Sequence, residues 1–182
     1  MIRDGQIKLN IAVRHLLLLV SVLMILSCRS GHESQEEILL PDTEDMAEMN
    51  RYLVQKDKER IENYIERRGL SMTESSSGLW YYIEDEGEGK SFSDNDRIVM
   101  EYTCFLIDGT PCYSSAELGP RQVVLGRTEI EPGLDQALRL LRPGGKGLFI
   151  LPSFLGYGLK GDGKKIPARA TLVYEIDIKN EK

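Results

Sequence analysis

From Gly78 to its C-terminus the chain alternates short β-type runs with turns that contain glycine or proline, and this pattern most constrains the fold. Aromatic and β-branched residues favour strands, and they mark runs at residues 79–83, 97–106, 110–113, 121–125, 146–151 and 170–178. One helical segment, residues 134–141, begins after Glu131-Pro132-Gly133 and ends before Pro143. This order predicts an α+β domain over residues 78–182, with one short helix packed against an antiparallel sheet.

Residues 42–69 carry a different pattern, because no glycine or proline lies between Pro41 and Gly69. Asp42 or Thr43 supplies a capping oxygen at the start, and Gly69 suits the helix end. The apolar residues fall near one side at helical spacing, and they are Met46, Met49, Leu53, Ile61, Tyr64 and Ile65. The opposite side is charged, as in the run 56–60. We predict one long helix, or two helices with a break near Asp57.

The apolar stripe of this helical segment is thin and gapped, so it leaves three uses open. It could pack on the following domain, pair with a second copy of residues 42–69, or bind a partner. We favour a solvated stalk helix that is docked by its few apolar residues. A scaffold role would instead predict stable dimers that vanish when residues 42–69 are deleted. The Ser/Thr-rich residues 70–77 are expected to form a linker.

The N-terminus has the features of an export signal. Arg3, Lys8 and Arg14 precede an apolar run at residues 16–26, which is shorter than the roughly 18 to 20 residues of a membrane-spanning helix. A signal peptide over residues 1–27 fits better. The sequence Ile25-Leu26-Ser27-Cys28 resembles a bacterial lipobox, which implies cleavage before Cys28 and its diacylation. An ordinary signal peptide or a buried helix is the alternative.

The mature chain is expected to begin with a polar, acidic tether at residues 28–41. The whole chain has a net charge of −6, which argues against electrostatic docking on anionic lipid. The chain also lacks the cluster of basic residues that is typical of a nucleic-acid binder. The lipid would anchor the protein, at about 0.8 kcal/mol per buried CH₂. Three cysteines and two histidines are too few for a zinc or disulfide framework.

The C-terminal domain carries no conventional chemical site. Both histidines, His15 and His32, lie upstream of it. It has no phosphate-binding glycine loop followed by Lys-Ser/Thr and no G-x-S-x-G nucleophile motif. We therefore predict a binding function, or a reaction that needs no nucleophile, metal or cofactor.

Nine short blocks stand in a fixed order over residues 98–178. They are Tyr102-Thr103, Asp108-Gly109, Ser114-Ser115, Leu125-Gly126, Glu129-Ile130-x-Pro132-Gly133-Leu134, Pro143-Gly144-Gly145, Leu151-Pro152, Leu155-Gly156-Tyr157-Gly158, and Ile166-Pro167 continuing to Ala170-Thr171-Leu172-Val173-Tyr174. Their order resembles that of FKBP-type peptidyl-prolyl cis-trans isomerases. The preceding helix and tether look like those of membrane-anchored FKBP-type lipoproteins of bacteria. That likeness implies a place in the bacterial envelope, facing the periplasm, with the outer membrane favoured over the inner.

The resemblance implies a curved antiparallel sheet wrapped over one short helix, with a pocket between them. Its substrates would be polypeptides that contain X-Pro bonds. Amide resonance sets a rotation barrier of about 18–20 kcal/mol, and rotation breaks that resonance. A dry apolar pocket disfavours the polar planar amide, and hydrogen bonds can hold the twisted one. X-Pro bonds suit this reaction because their isomers differ by only about 0.5–1 kcal/mol.

By position, the resemblance assigns three tyrosines to the site as catalytic residues: Tyr102, Tyr157 and Tyr174. Tyr102 and Tyr157 would supply aromatic wall and hydroxyl donors. The same positions imply a pocket formed by Cys112, Tyr113, Val123, Ile130, Glu131, Leu134 and Ile166, with the backbone around Glu131 offering an amide N–H. Any one tyrosine alone would also fit a half-buried sheet position whose hydroxyl is satisfied.

Several positions depart from the family pattern. Cys112-Tyr113 stands where the family carries an aromatic residue followed by Asp, and Leu134 replaces a common Trp. Arg121 and Val123 occupy positions that are often Phe. Fewer aromatic walls predict weaker peptide binding. The alternative function is therefore a catalytically weakened binding module or chaperone for Pro-containing segments.

Cys104 and Cys112 flank a predicted hairpin at Asp108-Gly109. A three-residue loop 107–109 with Gly109 left-handed would place the two cysteines on one face, whereas a tight two-residue turn would place them on opposite faces. The arrangement of the family pocket favours the first register. An exported protein permits a disulfide, so we predict a Cys104–Cys112 bond, with two buried thiols as the alternative.

Overall fold

The structure is a computed structural model that describes residues 43–127 and 130–180. The described residues form one compact unit. The expected signal peptide, the lipidation of Cys28 and the tether lie outside the described residues. Within the described ranges, no helix is both long enough and apolar enough to cross a membrane.

One long helix precedes a seven-stranded sheet. The elements are α1 (Thr43–Arg68), β1 (Thr73–Glu74), β2 (Trp80–Asp85), β3 (Arg97–Leu106), β4 (Pro111–Ser114), α2 (Ser115–Leu118), β5 (Arg121–Val124), α3 (Pro132–Arg139), β6 (Lys146–Leu151), a 3₁₀ turn (Ser153–Leu155) and β7 (Leu172–Ile178). The six strands from β2 to β7 lie within about two residues of the predicted runs. Helix α3 begins two residues earlier than predicted, because Pro132 occupies its first turn, where a fixed φ and a missing N–H cost nothing.

All strand pairs of the sheet are antiparallel. The order is β1-β2-β6-β7-β3-β4, and β5 pairs with the first part of β3, beside β4. The long strand β3 therefore holds β4 and β5 along one side and β7 along the other. This architecture confirms the predicted α+β class with a helix preceding the sheet.

Helix α3 packs on the inner face of the sheet and closes the main core. It buries Leu134, Ala137 and Leu138 completely. Gly133 permits the close approach, since a Cβ there would lie 2.6 Å from Leu151 Cγ and 3.0 Å from Leu155 Cβ. Each fully buried leucine contributes roughly 1.5–3 kcal/mol relative to an exposed one. Deleting that apolar face would remove the sheet's inner cover.

Helix α1 packs on the outer face of the same sheet through its C-terminal half. Ile61 and Tyr64 form a second core cluster with Ile150 and Val173. Near its N-terminus, Met46 is 54% exposed and so does not contribute to this packing. The helix is continuous, and the alternative of two helices with a break near Asp57 is wrong.

The position of Asp57 on this helix differs from the prediction, which assigned the run 56–60 to a charged outer side. Asp57 is 1% exposed. It lies four residues from Leu53 and four from Ile61, so helical geometry places all three on one face. Periodicity read from apolar residues alone missed this buried acid.

The expected linker 70–77 contains ordered structure. Gly69 ends α1 with φ +62°, and the Leu70 N–H donates to the Ile65 carbonyl. Thr73 and Glu74 then pair with β2. The connection therefore fixes helix to sheet by backbone hydrogen bonds.

The hairpin between β3 and β4 has the predicted three-residue loop. Gly109 has φ +93°, and the Leu106 N–H donates to the Thr110 carbonyl. A β-bulge follows, however, and Cys104 lies opposite Tyr113 rather than Cys112. Both cysteines are buried free thiols, so the predicted disulfide is not formed and the structure has the alternative of two buried thiols. The bulge removes the direct backbone pairing of the two residues, but their thiols still lie close enough to interact.

Candidate functional site

The predicted tyrosines of the two central strands lie together on the inner face of the sheet. Tyr102 on β3 pairs with Ile176 on β7, and Tyr174 on β7 pairs with Cys104 on β3. The ring centroids of Tyr102 and Tyr174 are 6.2 Å apart at an interplanar angle of 35°, a distance typical of favourable aromatic pairs. The alternation of side chains along the strands brings these two residues to one face.

A buried ion pair crosses the site from β5 to the start of α3. The Arg121 guanidinium donates to both carboxylate oxygens of Glu131, at 3.3 Å to Oε1 and 2.9 Å to Oε2. The Tyr174 hydroxyl donates to the same Oε1 at 2.9 Å. Glu131 stands just before α3 but makes no side-chain cap to that helix. Its carboxylate is instead satisfied by the site.

Burial and charge act in opposite directions on this pair. Burial opposes ionisation of Glu131, but the hydrogen bonds and charge of Arg121 outweigh burial and hold the pKa of Glu131 below its ordinary value. Burial also opposes the charge of Arg121, yet Glu131 raises the pKa of Arg121. The two residues are therefore a charged pair at neutral pH, and the interior of the site is polar at this point.

The hydroxyls of Tyr174 and Tyr157 both face this carboxylate. Burial, followed by the negative charge of Glu131, raises the pKa of Tyr174 well above its ordinary value. Burial and an interaction with Glu131 also raise the pKa of Tyr157, although no short hydrogen bond joins those two groups. Tyr157 is half-buried and packs against the main core. Glu131 thus attracts two of the three hydroxyls assigned to the site.

Tyr102 differs from the other two tyrosines. The residue is 9% exposed, and burial raises the pKa of its hydroxyl. Over residues 43–127 and 130–180 the Tyr102 hydroxyl has no hydrogen-bond partner, while its backbone N–H donates to the Ser115 hydroxyl at 3.2 Å. A fixed ring with an unengaged hydroxyl can donate to a bound carbonyl group.

The apolar residues assigned to the pocket belong to the same main core cluster as these tyrosines or pack against it. Cys112, Val123, Leu134 and Ile166 are all at most 3% exposed. Ile130 and Tyr113 are partly buried against the same cluster. The structure therefore places the assigned residues in or against the main core, with Glu131 joined to it through its hydrogen bonds.

Tyr113 stands where the family carries Asp, and its hydroxyl donates to the carboxylate of Asp162. The other oxygen of Asp162 accepts from the N–H groups of Lys164 and Ile166, each at 2.8 Å. Burial opposes ionisation of Asp162, but these hydrogen bonds, that from Tyr113 foremost, outweigh burial and lower the pKa of Asp162. Asp162 thus joins its own loop, which also carries Ile166, to Tyr113 at this edge of the site.

A groove of about 410 Å³ opens beside the ion pair, along β5. Its lining residues are Arg121, Gln122, Val123, Val124, Arg127 and Ile130. Three of these residues also belong to the site, so the groove reaches it from solvent. A larger groove of about 480 Å³ lies on the outer face of the sheet, lined by residues such as Tyr82, Glu101 and Glu175. Of the residues named above in the site, this groove shares Tyr102, Ser115 and Ile176, and we assign the chemistry to the inner face.

Two functional contacts of the site were missed from the sequence. Arg121 was noted only as a replacement for Phe, although an acid ten residues later was a signal that the charge could be paired. Asp162 was not singled out at all. Its position in Gly161-Asp162-Gly163 indicates a turn whose Asp side chain binds following N–H groups, but nothing in the sequence connects it to Tyr113.

The fold and the site define a class of proteins in which one helix closes a wrapped antiparallel sheet over a tyrosine-rich pocket. The family model described as FKBP-type peptidyl-prolyl cis-trans isomerase matches residues 88–179, half of the chain. The chain belongs to this family.

The chain is also similar to two relatives and to one solved structure of this family. The chain is 36% identical over 104 residues to the "Probable FKBP-type peptidyl-prolyl cis-trans isomerase FkpA" of Neisseria meningitidis, covering 57% of this chain and 38% of that protein. It is 35% identical over 119 residues to the "FKBP-type 22 kDa peptidyl-prolyl cis-trans isomerase" of Escherichia coli, covering 65% and 56%. The crystal structure of FkpA from Escherichia coli matches with a TM-score of 0.61 at 28% identity, covering 75% of this chain and 63% of that one. The chain thus spans about half the length of the curated relatives.

Proposed function

We propose that residues 78–182 interconvert the cis and trans forms of X-Pro bonds in polypeptides. The observation that carries this proposal is the Tyr102 hydroxyl, which belongs to a residue of the main core cluster and has no partner in the described part of the chain. A twisted amide has less charge separation than a planar one, so an apolar wall favours it. A donor at the substrate carbonyl then holds the twisted form without any covalent step.

The residues divide this work in a specific way. Tyr102 donates to the substrate carbonyl. Val123, Leu134 and Ile166 exclude water from the proline ring. Tyr174 orders Glu131, and Arg121 keeps that carboxylate charged, so neither group transfers a proton. No cofactor or metal has a place in this scheme.

The test of this activity is the exchange rate of a short X-Pro peptide with and without the protein. Uncatalysed exchange takes tens to hundreds of seconds. We expect a rate that rises in proportion to protein concentration and reaches saturation with peptide. Rates equal to the buffer control at all protein concentrations would refute the proposal.

A catalytically weakened binding module is the second candidate, and the polar floor of the site favours it. The Arg121 guanidinium and the Glu131 carboxylate form a charged pair where the family resemblance predicts an apolar wall. Two hydroxyls also face Glu131, which reduces the donors available to a peptide. Saturable peptide binding without acceleration of exchange would select this alternative.

We also propose that the clients are exported or envelope proteins and that a lipid on Cys28 tethers the domain to a membrane of the bacterial envelope. The support is the signal-like run 16–26 followed by Ser27-Cys28. Mass spectrometry of the N-terminal peptide from cell membranes tests this point. A Cys28 peptide with two or more acyl chains is expected, and an unmodified N-terminus upstream of residue 28 would contradict it.

Self-association through residues 42–69 is the remaining part of the proposal. Met46, Met49 and Tyr52 are each more than half exposed on α1, and an exposed apolar face favours contact with another molecule. Sedimentation of the chain is expected to show a dimer that the triple change of these residues to Glu abolishes. A monomer at every concentration would contradict it.

A further inference from the structure

Asp57 is a buried acid that the proposed chemistry does not use. It lies on α1 at 1% exposure, and its Oδ2 accepts a hydrogen bond of 2.6 Å from the hydroxyl of Ser153. Ser153 is itself buried and begins the 3₁₀ turn after β6. The contact joins the N-terminal helix to the segment that leads into Tyr157.

The loop that carries Tyr157 is tied at both ends, and Asp57 reaches both. At the first end, the Ser153 carbonyl accepts from the Gly158 N–H at 2.8 Å. At the second end, the Gly158 carbonyl accepts from the Arg169 N–H, also at 2.8 Å. Arg169 adopts a left-handed φ of +58°, and its guanidinium lies 3.8 Å from Asp57 Oδ1. Tyr157 is therefore enclosed by a ring of contacts that closes on Asp57.

Apolar packing at this contact is incomplete. A cavity of about 130 Å³ lies between helix and loop, lined by residues that include Leu53, Phe154 and Leu159. Over the described ranges Asp57 Oδ1 has no hydrogen bond, and its nearest charges are Arg60 at 3.7 Å and Arg169 at 3.8 Å. A buried carboxylate with one unsatisfied oxygen costs free energy. An apolar residue here would stabilise the contact more simply, but it would not fix the loop at two defined atoms.

We infer that Asp57 is a positioning residue for the site and that it couples helix α1 to the orientation of Tyr157. On this account α1 is part of the isomerase module rather than a spacer. A shift of α1 moves Ser153 and Arg169 together, and the Tyr157 ring moves with the loop relative to Glu131. The effect on catalysis depends on the proposed function, whereas the effect on Tyr157 does not.

The experiment compares Asp57→Ala with Asp57→Asn in the full chain, and Glu62→Gln serves as the matched control because Glu62 is an exposed acid of the same helix. Asn retains an acceptor for Ser153, so it should rescue what Ala loses. The measurements are the aromatic NMR signals of Tyr157, assigned with Tyr157→Phe, and kcat and KM for an X-Pro peptide. Ser153→Ala is the second variant, for use if Asp57→Ala does not fold.

We expect Asp57→Ala to shift the Tyr157 signals and to lower kcat/KM about tenfold, as small displacements of site groups do. The kcat/KM of Asp57→Asn should stay within about twofold of the wild-type value, and the kcat/KM of Glu62→Gln should equal the wild-type value. Unchanged Tyr157 signals in folded Asp57→Ala and Ser153→Ala would overturn the coupling. If the wild type shows no activity, the proposed function fails, and the Tyr157 signals alone decide this inference.

Discussion

The Arg121 guanidinium and the Glu131 carboxylate form a bidentate ion pair, at 3.3 and 2.9 Å, inside the candidate site. The Glu131 side chain is 4% exposed and that of Arg121 is 25% exposed. Residues at two pocket positions thus place a charged pair in a wall that the family resemblance predicts to be apolar. The pair needs to be intact, because either charge alone would be buried without its partner.

Removing one charge should therefore harm the protein more than removing both. We expect Arg121→Ala to lower the free energy of unfolding by about 3 kcal/mol, at the low end of the range for breaking a buried pair because Arg121 is partly exposed. The double change Arg121→Met with Glu131→Leu should cost less than the single change. Urea unfolding at pH 7 measures both, and a double variant that loses the sum of the two single losses would contradict this account.

The pair also predicts a pH dependence with a definite sign. The folded-state pKa of Glu131 lies below its ordinary value of 4.5, because Arg121 outweighs the effect of burial. A group with a lowered pKa stabilises the fold fully above its unfolded pKa, and this contribution is lost as the pH falls through the folded-state pKa. The stability difference between the wild type and Glu131→Gln should thus shrink between pH 7 and about pH 3. A difference that stays constant over this range would be evidence against the ion pair.

Two glycines of one loop offer a matched pair of substitutions. Gly161 and Gly163 both have left-handed φ angles, +67° and +71°. A Cβ at Gly161 would overlap the carbonyl oxygen of Ile166, whereas a Cβ at Gly163 would meet nothing within 4 Å. We expect Gly163→Ala to cost about 1–2 kcal/mol from backbone strain and Gly161→Ala to cost more and to displace Ile166. Equal losses of unfolding free energy would show that the loop does not hold Ile166 as described.

The two cysteines should be unreactive while the protein is folded. Burial raises the pKa of the Cys104 thiol to about 12, and burial also raises the pKa of Cys112. The thiolate is the reactive form, so maleimide labelling of a Cys28→Ser variant at pH 7 should be slow before unfolding. Both thiols should then label in denaturant without reductant. If neither labels there until reductant is added, the cysteines form the disulfide that the structure lacks.

The positions of the strands from β2 to β7 and of α3 could be predicted from the sequence because turn residues and apolar runs encode them locally. Proline and glycine at 132 and 133 mark the helix start. The sequence around Gly109 left two turn types open, and the family resemblance favoured the three-residue loop that the structure has. Strand alternation also predicts that Tyr102 and Tyr174 share one face, as the structure has them.

The contacts that the sequence did not reveal are the ones that depend on the fold. Asp57 lies within a charged run, so its burial becomes visible only when α1 is placed on the sheet. The bulge at Cys112 shifts the strand pairing by one residue, and no glycine or proline at that position predicts it. Tyr113 meets Asp162 across 49 positions of sequence, and no local rule predicts such a pair.

The measurement that tests the central claim most directly is kcat/KM for X-Pro exchange in the wild type and in Tyr102→Phe. The Tyr102 hydroxyl has no partner within residues 43–127 and 130–180, so its loss should change the free energy of unfolding by less than about 0.5 kcal/mol. We predict catalysis by the wild type and a fall of about tenfold in Tyr102→Phe, the effect of one lost hydrogen bond to the substrate. A wild type that leaves exchange at the buffer rate, or a Tyr102→Phe variant as active as the wild type, would contradict the account.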